Sequence, residues 1–315
     1  MSNPTKIYND YVRANLPSTM TFDSTTDRYD INNHSFLSFK EANWYFKYVT
    51  KYGYTSLSVY AVNNFDPDLV FDFKQNYYRT GGTATTLSSA VTHTRASSAT
   101  MTNSSGTLVT VGNNVARTGH HVYNGSAWVN EGILHESEAR TNAISTSEVA
   151  PTAYSNGITK AVDSSVVSPA GGNNVEKFTL SSANEQHYFG NHNPISASSG
   201  TSTYSIFAKG SGHNLIRLGM NNTAGRFYCD FNLSTGQKQV TSISDSSVIG
   251  AIESMGNGWW RCSMTYASEK TNPYATVRLI NAMDAPLLNS FLGDGTSGVY
   301  VWGSQYESGS FPTSY

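Results

Sequence analysis

The chain has 315 residues, of which 13% are charged, with 20 Lys and Arg against 22 Asp and Glu and a formal net charge of -2. A duplex-binding protein needs an excess of cations to neutralise phosphates, so this balance disfavours nucleic acid as a partner. Two cysteines cannot build a disulfide framework, and neither a secretory signal nor a stretch of transmembrane length is visible, so synthesis in a cytoplasm without membrane insertion is expected. Hydrophobic residues reach only 38%, yet 20 Tyr, 14 Phe and 5 Trp can fill a thin core, because rings bury large areas per residue.

In chain order, Met1 to Asn33 reads as polar and irregular. The next stretch predicts a helix over 38–52: Ser38 can cap it, Glu41 stands three residues on, Trp44, Tyr48 and Lys51 follow at helical spacing, and Gly53 ends it. Its rings Trp44, Tyr45, Phe46 and Tyr48 circle more than one face, which predicts docking onto another body and makes these four the candidate attachment residues. Ser56 to Val62 alternates like a strand, and Asn63-Asn-Phe-Asp-Pro67 reads as a linker, since the residue before proline leaves the helical region. The domain boundary is therefore placed between an attachment and oligomerisation segment, 1–67, and a β domain, 68–315.

Within that domain short strands recur about every ten residues. The expected runs are 69–73, 90–95, 107–111, a hairpin of 121–123 and 127–129 over Asn124-Gly125, then 175–180, 186–189, 202–209, 214–220, 226–233, 238–243, 247–252, 259–266, 274–280 and 299–307. Residues 143–172 read mostly as loop. Many short strands with turn clusters between them specify an all-β antiparallel sandwich or barrel.

Period-two alternation assigns faces. Ile216, Leu218 and Met220 leave Arg217 opposite; Phe227, Cys229 and Phe231 leave Tyr228 and Asp230; Trp260, Cys262, Met264 and Tyr266 leave Trp259 and Arg261; Val299 and Val301 leave Tyr300 and Trp302. If these strands are neighbours, Arg217, Tyr228, Asp230, Trp259, Arg261, Tyr300 and Trp302 line one sheet face. Rings flanked by guanidinium and carboxylate suit a sugar, whose C–H faces stack on π systems while its hydroxyls seek hydrogen bonds. The alternative is that the same face packs under loops or a neighbouring subunit, with Arg and Asp paired. Both cysteines, Cys229 and Cys262, fall at apolar positions and read as buried reduced thiols.

Asp294, Glu307, Glu136 and Glu138 could donate oxygens to a structural calcium ion, but no spaced calcium loop connects them, and Asp294 reads as shaping a turn. His93, His120, His121, His135, His187, His192 and His213 share no ligand-bearing face by any regular spacing, so no metal or other cofactor is expected. No nucleophile elbow, zinc-protease helix, phosphate loop or dinucleotide fingerprint occurs, and the chain is read as non-enzymatic.

The stretches GNGWWRCSMT (256–265), FNLSTG (231–236), ESEARTN (136–142) and GDGTSGVYVWGSQYESGSFPTSY (293–315) resemble the motifs of a concanavalin A-like jelly-roll module, akin to carbohydrate-binding modules, of tailed-bacteriophage virion proteins. The resemblance begins near Asp68 to Phe73, passes through Thr92 to Ser97 and omits the first sixty or so residues. It implies a jelly-roll sandwich displayed on a virion assembled in a bacterial cytoplasm. It further implies other virion proteins as partners, a homo-oligomer such as a trimer, and contact with host surface glycan as in tail or head fibres. Two other readings are a head-decoration or structural protein without a specific sugar, and, more distantly, a capsule depolymerase.

Overall fold

The computed structural model describes the backbone of residues 20–23, 28–31 and 34–36, and then residues 68–136, 138–144, 147–148, 154–190, 200–222, 225–241, 247–267 and 274–315. The expected helix 38–52 with Trp44, Tyr45, Phe46 and Tyr48, the strand 56–62 and the Asn63–Pro67 linker lie outside the described residues. The chain divides into two compact units, Met1–Asp72 with Tyr77–Thr92, and Phe73–Asn76 with His93–Tyr315.

In the first unit, Met20–Asp23, Arg28–Ile31 and His34–Phe36 form a three-stranded antiparallel sheet whose register sets Met20 opposite Ile31 and Phe22 opposite Tyr29. The reading of Met1 to Asn33 as irregular is thereby corrected over residues 20–23 and 28–31. Alternation over only four residues is too short to stand out from a polar background. A second small sheet joins Val70–Asp72, Tyr77–Thr80 and Thr83–Thr85, its last turn made by Gly81 and Gly82 at φ of 53° and 73°. Two successive residues at positive φ give the primed turn that matches strand twist. Where a strand over 90–95 was expected, the chain instead closes a one-turn helix, Leu87–Ala90, capped by Thr86, whose hydroxyl accepts the Ser89 amide at 3.2 Å.

The second unit opens with two hairpins, Ala99–Thr102 with Leu108–Val111 and Thr118–Tyr123 with Trp128–Ile133. The latter turns at Asn124-Gly125, as expected. Asn124 Oδ1 accepts the amides of Ser126 at 3.0 Å and Ala127 at 2.9 Å, and Gly125 takes φ of 100°.

The sandwich strands are β1 (Tyr154–Asn156), β2 (Ile158–Asp163), β3 (Val175–Leu180), β4 (Asn184–Gly190), β5 (Thr201–Ser211), β6 (Leu215–Asn222), β7 (Gly225–Asn232), β8 (Gln237–Val240), β9 (Ile249–Ser254), β10 (Trp259–Ala267), β11 (Tyr274–Leu279), β12 (Ser290–Leu292) and β13 (Gly298–Ser308). One sheet runs β2-β3-β13-β5-β10-β9. The other runs β1-β4-β11-β6-β7-β8, with β12 on β4. Pairing is nested and antiparallel: β3 with β13, β4 with β11, β5 with β10, and β6 with its neighbour β7. Such nesting is one long antiparallel ribbon rolled up so that its successive strand pairs alternate between two facing sheets, a jelly roll. β1 and β2 are two strands that the reading of 143–172 as mostly loop misses. Between the partly buried ends of β2 lie four exposed residues, so its sequence carries no buried-face alternation.

Between the sheets a core forms from the residues whose alternation marked them as inward, among them Ile216, Leu218, Met220, Phe227, Cys229, Phe231, Cys262, Met264, Tyr266, Val299 and Val301, with Trp260 packed against it. In β13 the alternation reverses once. Trp302 faces outward and Tyr306 inward, four residues apart, because the register slips opposite Ser205 and Phe207. Gly303 sits in that bulge at φ of 66°, where an added Cβ would stand 2.7 Å from the Phe207 ring. Without the extra residue Tyr306 would turn outward and lose the Tyr266 hydroxyl, 3.1 Å from its own.

Candidate functional site

The inward or outward direction of all seven sequence-selected residues agrees with expectation, but their grouping does not. Arg217, Tyr228 and Asp230 lie on the outer face of the sheet containing β6 and β7, whereas Trp259, Arg261, Tyr300 and Trp302 lie on the outer face of the opposite sheet. A single binding face built from all seven is therefore corrected. Jelly-roll winding sends strands close in sequence to different sheets, and outward positions on two facing sheets point away from each other.

Neither cluster is open. Arg217 donates from Nε to Asp230 Oδ1 at 2.6 Å and from Nη2 to Asp230 Oδ2 at 2.9 Å, a two-pronged pair with both side chains buried. The same guanidinium donates to the Ala285 carbonyl at 2.7 Å and the Pro286 carbonyl at 3.3 Å, while Asp230 Oδ2 accepts the Asp284 amide at 2.8 Å. Its charge and that of Asp230 hold the 284–286 loop across the sheet, and the Tyr228 ring lies 5.7 Å from the guanidinium.

On the other sheet, Trp302 packs against Phe207 at 5.5 Å and Tyr315 at 4.4 Å between ring centroids, in one cluster with Val175, Trp259 and Tyr300. Trp259 donates its indole N–H to the Val167 carbonyl at 3.0 Å, and the Tyr300 hydroxyl donates to Asp163 at 2.8 Å. Arg261 sits over the Phe207 ring and donates to Gln305 Oε1 at 2.7 Å and to the Thr313 carbonyl at 2.5 Å. These rings are a second core, sealed by the carboxyl-terminal tail.

That tail is gripped by the 136–142 stretch, and alternate residues of it do the gripping. Glu136 accepts the Ser314 amide at 2.5 Å and hydroxyl at 2.9 Å while paired with Arg117 at 2.8 Å. Arg140 donates to the Phe311 carbonyl, stacks over the Phe311 ring at 4.2 Å and pairs with Glu138 at 2.7 Å. Asn142 receives the Tyr306 amide at 2.9 Å and donates to the Ser304 carbonyl at 3.0 Å. Glu307 is buried and accepts the Thr313 amide at 3.0 Å. Burial alone would push the Glu136 carboxyl up. The Ser314 and Arg117 donors outweigh it and leave the group below the ordinary carboxylate range.

A polar cleft of about 520 Å3 opens beside this junction, lined by Arg95, Arg117, Glu136, Arg140, Glu148 and Glu307 among others. Its charged groups are largely engaged with one another and with backbone, so the geometry is that of a clamp on the tail. The motif was visible in the sequence, but its clamping role depends on contacts more than 160 residues apart and could not be read there.

The possible calcium donors do not converge. Glu136 and Glu307 hold the tail, Glu138 holds Arg140, and Asp294 Oδ1 accepts the amides of Thr296 at 2.8 Å and Ser297 at 2.7 Å, an Asx turn as expected. Among the described residues no group of three or more His, Cys, Asp or Glu side chains is placed to hold a metal ion. Cys229 and Cys262 are free and buried; burial, then the Asp230 charge, pushes the Cys229 thiol up to about 12, and burial pushes Cys262 well above its ordinary value.

The topology defines the class, an antiparallel jelly-roll β-sandwich. No protein-family model matches the chain, and no curated protein matches it.

Proposed function

We propose that this chain is a non-enzymatic surface component of a tailed-phage particle. Its amino-terminal segment attaches it to other virion proteins or to sister copies, and its jelly roll is displayed outward to contact host surface glycan. The observation that carries this reading is the meeting of Glu136–Asn142 with the carboxyl-terminal tail. Two of the stretches that resemble the phage modules are one interlocked substructure, and they close the second core of a jelly roll. Weak contacts per copy would be raised in avidity by repetition on the particle.

A second reading, a head-decoration or structural protein without a specific sugar, is favoured by the burial of the seven residues first selected for glycan contact. Two experiments separate them. Reconstruction of the whole particle should place this density at the surface, and particles lacking the chain should adsorb poorly to host cells. Normal adsorption, with full-length chain failing to label host cells even when multimerised, overturns the receptor role and leaves the structural one.

A further inference from the structure

At one end of the sandwich the loops leaving β5, β7 and β11 and the segment around β12 enclose a groove of about 490 Å3. Its apolar lining is Leu180, Leu215, Leu292 and Phe291, the last half-buried, its ring near-parallel to His213 at 5.9 Å and tilted against His187 at 4.5 Å. The buried His187 fixes this strand: its ring nitrogens stand 2.6 Å from the Gly157 carbonyl and 3.0 Å from the Phe291 carbonyl. Burial pushes the His213 ring below its ordinary value, so it is uncharged at neutral pH.

Around the rings stand three side-chain amides, Asn214, Asn232 and Asn281. Asn232 Oδ1 is taken up by the Ser234 and Thr235 amides, and Asn281 Oδ1 by Asn289. Their Nδ2 groups, and the whole Asn214 amide, have no hydrogen-bond partner among the described residues. Asp294 adds a carboxylate, and no Lys or Arg lines the groove among the described residues. A ring patch beside free amide donors and one carboxylate presents what a polyol needs, while an anionic ligand would meet a negative charge and no cation.

We infer that this strand-end groove is a carbohydrate site selective for neutral hexose or N-acetylhexosamine glycans over uronic- or sialic-acid glycans. The inference rests on the glycan-contacting reading above and gives it a location and a charge preference.

The test is the full-length chain, biotinylated and tetramerised on streptavidin, applied to an array of neutral hexose and N-acetylhexosamine oligomers beside uronic- and sialic-acid oligomers. Binding confined to the neutral set is expected. Ser234→Trp, on an exposed turn at the groove, should weaken it by more than about tenfold, and Asn214→Ala by about threefold to tenfold, as expected for one lost hydrogen bond, both with unchanged melting temperature. Neutral-glycan binding that both variants retain overturns the groove and leaves the glycan-contacting reading standing, as does binding confined to the acidic set. No binding to any oligomer by the tetramer overturns both.

Discussion

The two outer faces of this sandwich are both closed by the chain itself, but by different physics. Over β6 and β7 the closure is one buried ion pair, Arg217 with Asp230, which also binds the backbone of residues 284–286. Over β10 and β13 it is a stack of rings, Phe207, Trp259, Trp302 and Tyr315, under a tail held at its rim by Glu136 and Arg140. A charge pair in a dry setting fails as a unit when one member is lost, because the other is left unpaired; a ring stack loses stability in proportion to area and cavity. The first face should therefore respond to charge and the second to volume.

The largest expected effect is on the ion pair. Asp230→Ala should cost about 3–5 kcal/mol in urea unfolding, and adding Arg217→Met should restore a substantial part. Equal losses in the single and double variants would break the contrast. On the ring face Trp302→Ala should cost about 3 kcal/mol, the low end for a truncated buried aromatic, because the buried Trp302 indole N–H has no hydrogen-bond partner among the described residues and its removal relieves an unmet donor. Gly303→Ala should cost about 1–3 kcal/mol, from positive φ and the approach to Phe207.

A smaller effect comes with pH. The Glu136 carboxyl is held below its ordinary 4.5 in the folded chain, so the unfolded chain binds the proton more readily. Its contribution is fully present above about pH 4.5 and is lost as pH falls through the lower, folded value. Thermal melts of wild type and Glu136→Gln should converge as pH drops below about 4.5; parallel curves would remove Glu136 from the tail clamp. The smallest signal is the thiols: Cys229 and Cys262 should stay unreactive to a thiol reagent until the chain is denatured, and rapid native labelling would contradict their burial.

The same contrast shows what was legible in the sequence. Inward and outward positions came out right at Ile216, Cys229, Cys262 and Val301, because period-two alternation is local to each strand. Which strands share a sheet did not, because the β6–β7 hairpin and the strands β10 and β13 are assigned to their sheets by pairings distant in sequence, such as β6 with β11 and β3 with β13. The seven residues thus had correct directions and a wrong common face. β1 and β2 were missed because edge strands need no buried alternation, and the strand-end groove because its amides stand singly in turns, where asparagine is common for backbone reasons alone.

The most direct test of self-closed faces is hydroxyl-radical footprinting of the full-length native chain, read residue by residue by mass spectrometry. Tyr228, Trp259 and Trp302, each at most 3% exposed, should be protected, while Phe311, 41% exposed, is oxidised readily. Oxidation of Trp302 and Tyr228 at a rate matching Phe311 would show both faces open in solution and would contradict the closure described above.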